Sequence, residues 1–318
     1  MENVRTAFVT YRNSVRDINR AAREDPAAFV AETEAAYQRS LDVIARRIAS
    51  QDPMCKLVMI AGPSSSGKTT TSHRLLASLQ KFGVESVIIS LDNFYFDEQN
   101  APLLPDGTRD YESLAAIDLD DIRRCLLGLV RNNRCDMPLF DFEKHRPCPD
   151  RRRVELHGRE VAVVEGIHAL NPALTSHLPK LRAHRIYISV KQGVEDEGRQ
   201  IFGPNDIRLI RRLVRDRNFR GTGPEQTLRM WGNVMNGERR YIKPFRPFAD
   251  STINSFHAYE LCVLKRQALE LLHTVPEQSV DFACAQKLMQ GLGRVESIDP
   301  GLVPGNSIIR EFIGGGTV

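Results

Sequence analysis

The stretch "MIAGPSSSGKTTTSHRLL", residues 59–76, carries two glycines, Gly62 and Gly67, with four residues between them and Lys68, Thr69 and Thr70 directly after. This is the spacing G-x-x-x-x-G-K-[ST]. The apolar run "KLVMIAG" (56–62) leads into it and a helix-length stretch (68–82) leads out, so a strand, a tight turn and a helix start follow one another. Backbone N–H groups and the positive end of the helix then converge on one point, which suits a phosphate. Pro63, Ser64, Ser65 and Ser66 keep the loop compact. Lys68 can reach the outer phosphates as a point charge, and the Thr69 hydroxyl can ligate Mg²⁺.

Outward from this loop the chain alternates. "VESVIIS" (84–90), "REVAVVEG" (159–166) and "HRIYISV" (184–190) are further short aliphatic runs. Their lack of polar alternation predicts strands buried on both faces of a parallel sheet, with helices at 68–82 and 118–131 between them. From Asn205 on, helical patterns run over 205–217, 225–240, 256–273 and 279–291. Tyr37, Leu41, Ile44 and Ile48 recur at helical spacing, so residues 1–52 read as an amphipathic helical lead-in packed on the main domain or on a neighbour. The expected fold is α/β: a three-layer P-loop NTPase fold with a mostly parallel sheet, a helical lid and helical N- and C-terminal appendages. The expected division is a helical segment 1–52, a P-loop domain 53–275 with its lid near 202–223, and an extension 276–318 whose glycine-rich end is expected to be mobile.

Composition narrows the class. With 318 residues, 42% of them hydrophobic, the chain can bury a large core; its net charge of +4 suits anionic ligands but is too mild to argue for nucleic acid. Six scattered cysteines without C-x-x-C pairs read as reduced thiols of a cytoplasmic protein. No apolar segment is long enough to span a membrane, and none near the start reads as an export signal.

Two carboxylates stand where an open α/β sheet binds its ligands. Asp92 follows the second apolar run, where it could take a proton from an attacking hydroxyl; a helix N-cap or turn role stays open. Glu165 ends the third run, where burial is costly unless the acid faces a metal or partner. No apolar run ends in Asp-Glu, so a small kinase is favoured over an ATP-driven motor. In "NDIRLIRRLVRDRNFRGTG" (205–223), Arg208, Arg211, Arg212 and Arg215 fall within about 100° on a helical wheel, opposite Leu209, Ile210, Leu213 and Val214. One face would pack and the other would close arginines over phosphates, or else face solvent or nucleic acid. Arg151, Arg152 and Arg153 read as a solvated charge run.

"GPSSSGKTT", "SLDNFY", "DYESLAAIDLDDI", "PLFDFEKHR", "VVEGIHALNP" and "RLIRRLVRDRNFRG" together resemble the uridine kinase and phosphoribulokinase family of P-loop kinases, over residues 55–255 or so. The endings "YIKPFRPFADSTINSFHAYELCVLK" and "SIIREFIGG" are similar to a bacterial branch of uridine kinase-like proteins. There the kinase module often follows domains similar to parts of threonyl-tRNA synthetase; none fits in 1–52, so the chain resembles that module alone. The resemblance implies that Gly62 to Thr70 bind the phosphates of ATP, that Thr69, Asp92 and Glu165 surround Mg²⁺, and that Asp92 is the catalytic base, with Lys68 and Arg212 at the transferred phosphate. It further implies that Glu112 holds ribose hydroxyls, that Tyr111 flanks the acceptor, that Phe140 and His145 lie at a pyrimidine base, and that Asp250 is structural. The family's base-contacting Tyr is Phe140 here, and its following Arg and Gln are Thr222 and Met230. A nucleoside, first uridine or cytidine, is thus the expected acceptor, with doubtful base selectivity. A kinase of another small alcohol, such as a sugar phosphate or pantothenate-like acid, and a nucleotide-binding regulatory or RNA-associated module are the alternatives. A homo-oligomer stays open.

Overall fold

The computed structural model describes residues 12–51, 54–105, 107–141, 144–178 and 183–317. The first eleven residues of the expected helical lead-in, and the boundary expected at 52/53, lie outside the described residues. In chain order the elements are β1 (Arg12–Ser14), α1 (Val15–Glu24), α2 (Pro26–Ala49), β2 (Leu57–Ala61), α3 (Lys68–Gln80), β3 (Glu85–Ser90), α4 (Leu119–Asn132), β4 (Arg134–Asp141), β5 (Arg146–Glu155), β6 (Glu160–Glu165), β7 (Ala183–Ser189), β8 (Gly193–Asp196), β9 (Arg199–Phe202), α5 (Pro204–Arg220), α6 (Pro224–Gly237), β10 (Ser251–Asn254), α7 (Glu260–Leu272), α8 (Phe282–Gly293) and α9 (Arg310–Ile313).

Five strands form a parallel sheet in the order β10-β7-β2-β6-β3. The alternation along β2 divides the core: Val58 and Ile60 belong to one hydrophobic cluster, Leu57, Met59 and Ala61 to the other. The first cluster draws on α1, α2, α3, α5, α7, α8 and the C-terminal residues; the second draws on α4 and the β4–β5 hairpin. That is a three-layer α/β fold. Both strands beside β2 are themselves flanked, so β2, β6 and β7 are buried almost throughout. β3 departs from the expectation: it is an edge strand, with Glu85 exposed and Ser86, Val87 and Ile88 half-buried.

Local signals explain the ends of the helices. Asp25 caps α2 by accepting the Ala28 N–H, and Pro26 occupies its first turn. Asp118 caps α4 through the Asp121 N–H, and Asn133 closes it in the left-handed region. The lead-in helix packs on the main domain: Tyr37, Leu41, Ile44 and Ile48 are all buried, and the Tyr37 hydroxyl meets Thr71 Oγ1 at 2.6 Å.

Two small sheets were not legible in the sequence. β4 and β5 pair antiparallel with a register shift between Pro138 and Phe140, and their prolines hide the strand pattern. β1, β8 and β9 form a three-stranded sheet of very short strands. The arginine run 151–153 lies exposed on β5 as expected, with Arg151 also pairing with Asp121 at 2.8 Å and Arg152 donating to the Ile88 carbonyl. The C-terminal end, expected to be mobile, is tied back by the Thr317 N–H to the Gly305 carbonyl at 2.9 Å. All six cysteines are free thiols, and no helix among the described residues is long and apolar enough to cross a membrane.

Candidate active site at the phosphate loop

The loop between β2 and α3 requires its glycines. A Cβ on Gly62 would lie 2.2 Å from the Ile188 carbonyl oxygen and 2.8 Å from Ser66 Oγ. Gly67 caps α3 at φ +82°, and Ser65 is held at φ +57°, a conformation L side chains seldom take. The first N–H groups of α3, at Lys68, Thr69 and Thr70, have no acceptor within the helix. The Ser65 and Ser66 hydroxyls are buried without a hydrogen-bond partner among the described residues, so the loop encloses open donors. Lys68 Nζ makes one long contact, 3.4 Å, to the Pro63 carbonyl, while Thr69 is exposed.

Sheet register brings the carboxylates to this loop. Glu165, the last residue of β6, is paired with Ile60 on one side and Ser90 on the other. Its side chain is buried and accepts from Ser90 Oγ at 2.6 Å. Burial, reinforced by the charge of Asp92 and opposed by Lys68, pushes its carboxyl up to about 7. Asp92 sits in the single turn after β3; burial raises its pKa as well, against the pull of Lys68, Arg220 and Arg215. Two crowded, buried carboxylates beside an open lysine and the exposed Thr69 fit a divalent cation. Among the described residues no group of three or more acidic, His or Cys side chains is arranged to hold a metal.

On the far side lies Glu112. Its stem fills the space over Gly237, where a Cβ would come within 2.4 Å, and its Oε2 is buried with no partner. Burial raises its pKa; Arg212, Lys68 and Arg208 oppose the shift. Tyr111 is 38% exposed; its carbonyl accepts from the Tyr95 hydroxyl at 2.9 Å. Tyr95 also meets the Phe140 ring edge-on at 6.1 Å, so Tyr111, Tyr95 and Phe140 form one aromatic row. The Phe140 N–H donates to Asn93 Oδ1, which ties the β4–β5 hairpin to the Asp92 turn. His145 lies at the hairpin tip with φ +51°, its ring exposed, its carbonyl accepting the Glu98 N–H.

α5 lies across the phosphate loop. Arg208 Nε donates to the Ser64 carbonyl at 3.0 Å, Arg212 to Ser64 Oγ at 2.9 Å, and Arg211 to the Ser65 carbonyl at 3.2 Å. Arg212 also pairs with Asp216 at 3.1 Å, as does Arg215 at 2.7 Å.

The profile of the Phosphoribulokinase / Uridine kinase family matches residues 57–261. The chain belongs to this family. Over 239 residues it is 32% identical to the uridine kinase of Borrelia hermsii, covering 72% of this chain and 100% of that one. Over 207 residues it is 30% identical to the uridine kinase of Saccharomyces cerevisiae, covering 63% of this chain and only 36% of the yeast enzyme. The solved structure of a possible uridine kinase from Bacillus stearothermophilus is 16% identical, with a TM-score of 0.46 over 68% of this chain and 97% of that one.

Within this family fold, Lys68, Thr69, Asp92, Glu165, Glu112 and Arg212 gather around one loop. Tyr111 and Phe140 stand together beside it and His145 at the hairpin tip, while Met230 is 41% exposed on α6. Asp250 binds the Arg185 N–H through Oδ2 at 2.8 Å and so ties β10 to β7. The amphipathic reading of 205–217 needs correction: every residue from Ile207 to Asp216 is buried, and the arginine face is pressed on the loop rather than open to solvent or a polyanion. Arg211 is taken up wholly in the interior by Glu260, at 2.5 and 2.9 Å.

Sequence reasoning passed over two groups here. His168 is buried beside the backbone of Ser113 and Glu112, and burial lowers its pKa to about 4, so it is neutral. It follows Glu165 by three residues, the signal that could have found it. Arg220, at the end of α5, acts on Asp92 through its charge; its place in the arginine-rich stretch was the available clue.

Proposed function

We propose that the chain transfers the γ-phosphate of ATP to a hydroxyl of a small diol-bearing acceptor, with the 5′-hydroxyl of uridine or cytidine first among candidates. The observation that carries this reading is the convergence of Lys68, Asp92, Glu165 and the unpartnered Glu112 carboxylate on one phosphate loop. Two relatives named uridine kinase favour the nucleoside over other alcohols.

In this proposal Gly62, Pro63, Ser64, Ser65, Ser66, Gly67, Lys68, Thr69 and Thr70 cradle the triphosphate. Thr69, Asp92 and Glu165 would hold Mg²⁺, which supplies charge neutralisation across the phosphates. Asp92 takes the acceptor proton as the acceptor oxygen bonds to the γ-phosphorus; the bond to the bridging oxygen breaks and ADP leaves. Lys68 and Arg212 stabilise the charge on the transferring group. Glu112 accepts from the acceptor's neighbouring hydroxyls, and Tyr111, Phe140 and His145 border its base. Residues 53–275 would be the kinase module, with 1–52 and 276–318 as helical additions to it.

A panel of nucleosides, sugars and small alcohols with ATP and Mg²⁺, read by product mass, tests the reading. Asp92→Asn should leave ATP binding in place and lower kcat by about 10²–10⁴-fold. Unchanged kcat would return Asp92 to a turn residue. Because Phe140, Thr222 and Met230 stand in place of a phenol, a guanidinium and an amide, uridine and at least one purine nucleoside should differ by less than about a hundredfold. Activity confined to a non-nucleoside alcohol would promote that acceptor class instead.

A further inference from the structure

The ending "SIIREFIGG", unused by the chemistry above, is docked against the phosphate loop. Ile308 fills the space beside Gly67, where a Cβ would meet its Cδ1 at 3.2 Å. Phe312 lies under the Arg211 guanidinium at 5.2 Å, and its carbonyl accepts from Asn218 of α5 at 3.0 Å. Ser307 Oγ meets the buried Tyr259 hydroxyl at 2.9 Å. Arg310 closes the segment on itself through the Val303 and Pro300 carbonyls. These anchors fix the one carboxylate of the segment that faces the loop: Glu311 Oε2 accepts from Thr70 Oγ1 at 3.4 Å. Its charge reaches Glu165 as well.

Glu311 has no ion-pair partner among the described residues, and its single hydrogen bond is long, so most of its acceptor capacity is open. Position defines what could use it. In the proposed site Lys68 would serve the outer phosphates and Thr69 the cation, so Thr70, one residue further into α3, would lie toward the inner end of the phosphate chain. A group just beyond Thr70 therefore meets what the innermost phosphate is esterified to. A carboxylate accepts, and cannot donate; ribose hydroxyls are the donors a nucleoside triphosphate offers there.

We infer that Glu311 is a donor-specificity residue: it accepts a hydrogen bond from a ribose hydroxyl of the phosphate-donor nucleotide, which makes the C-terminal segment part of the donor site. This rests on the phosphate loop binding a nucleoside triphosphate. Further contacts from the same segment would then distinguish a nucleotide from a bare polyphosphate.

Equilibrium binding to the full chain with Mg²⁺ tests it, with ATP, 2′-deoxy-ATP, 3′-deoxy-ATP and inorganic tripolyphosphate as probes. The parent protein should bind ATP about ten- to a hundredfold more tightly than one of the two deoxy nucleotides, the worth of a hydrogen bond to a charged group. Glu311→Ala should erase that preference and leave tripolyphosphate affinity unchanged. Glu311→Gln, which keeps the shape and one acceptor oxygen, should retain part of it and melt at the parent temperature. Equal weakening of ATP and tripolyphosphate in both variants would reduce Glu311 to a prop for the loop and overturn the inference, as would an unchanged preference. Failure of the parent protein to bind any triphosphate would instead overturn the phosphate-loop reading itself.

Discussion

Two buried polar regions lie on either side of α5, and they differ in how their hydrogen bonds are met. Behind the helix, Arg211 is matched by both oxygens of Glu260 and by the Ser255 carbonyl at 2.6 Å. Further back, Glu34 takes Arg74 at 2.6 Å and the Tyr259 hydroxyl at 2.5 Å. Burial pushes the Glu34 pKa up, but hydrogen bonds from His257, Ser307 and Tyr259 and the His257 charge outweigh it, so the carboxyl stays ionised far below its usual range. In front, among the described residues, the phosphate loop and its surroundings hold buried side-chain polar atoms without a partner: Ser65 Oγ, Ser66 Oγ, Glu112 Oε2 and Arg208 Nη2. The same chemical groups are internally satisfied in one region and left open in the other. Buried polar groups are normally paired, so the first region is built for stability and the second for something that arrives.

The sharpest way to break this contrast is to remove a partner from the satisfied region. Arg211→Ala leaves Glu260 buried without its ion-pair partner, with only the His257 N–H, among the described residues, still donating to it at 3.0 Å, and should cost about 3–5 kcal/mol in a denaturant melt. A loss under ~1 kcal/mol would show that Glu260 is relieved by other means and that the region is not what holds α5. The converse test is Lys68→Ala, in the open region. Its one contact within the protein is long, so the melting temperature should stay put while kcat falls by about 10²–10³-fold. A fallen melting temperature with intact turnover would reverse the comparison.

The smallest effect concerns pH. Glu165 has its pKa raised from 4.5 to about 7 in the folded, ligand-free protein, so the folded state binds the proton more tightly than the unfolded chain. Its contribution is fully present below pH 4.5 and is lost as pH rises through about 7. Glu165→Gln should flatten that decline, by on the order of 2 kcal/mol, when denaturation is followed across this range. A decline of equal slope in the variant would place its origin elsewhere, first in Asp92.

The legible and illegible parts of the site divide by sequence distance. Gly62 to Thr70 could be read because the loop is local: steric demands on two glycines and the helix start are written within nine residues. Asp92 and Glu165 could be read because each ends an apolar run. His168 was missed because an imidazole after a strand has no pattern until its burial beside the Glu112 segment is seen. The β4–β5 hairpin was missed because its prolines and arginines look like a loop, and its pairing is set by contacts rather than by alternation.

By itself the sequence determined four of the five strands of the sheet, the longer helices and the phosphate loop, because backbone sterics and hydrophobic periodicity act over short stretches. Tertiary structure alone decided what the arginines of α5 do. A helical wheel places Arg208, Arg211, Arg212 and Arg215 on one face but cannot tell whether that face meets water, since the partners lie far along the chain: Glu260 is 49 residues from Arg211, and Ser64 is 148 from Arg212. Only folding brings those acceptors within hydrogen-bond reach, and with them a guanidinium face that would be unaffordable to bury becomes the wall of the site. The same holds for Glu311, 241 residues from Thr70, which the fold sets against the loop where the chain began its third helix.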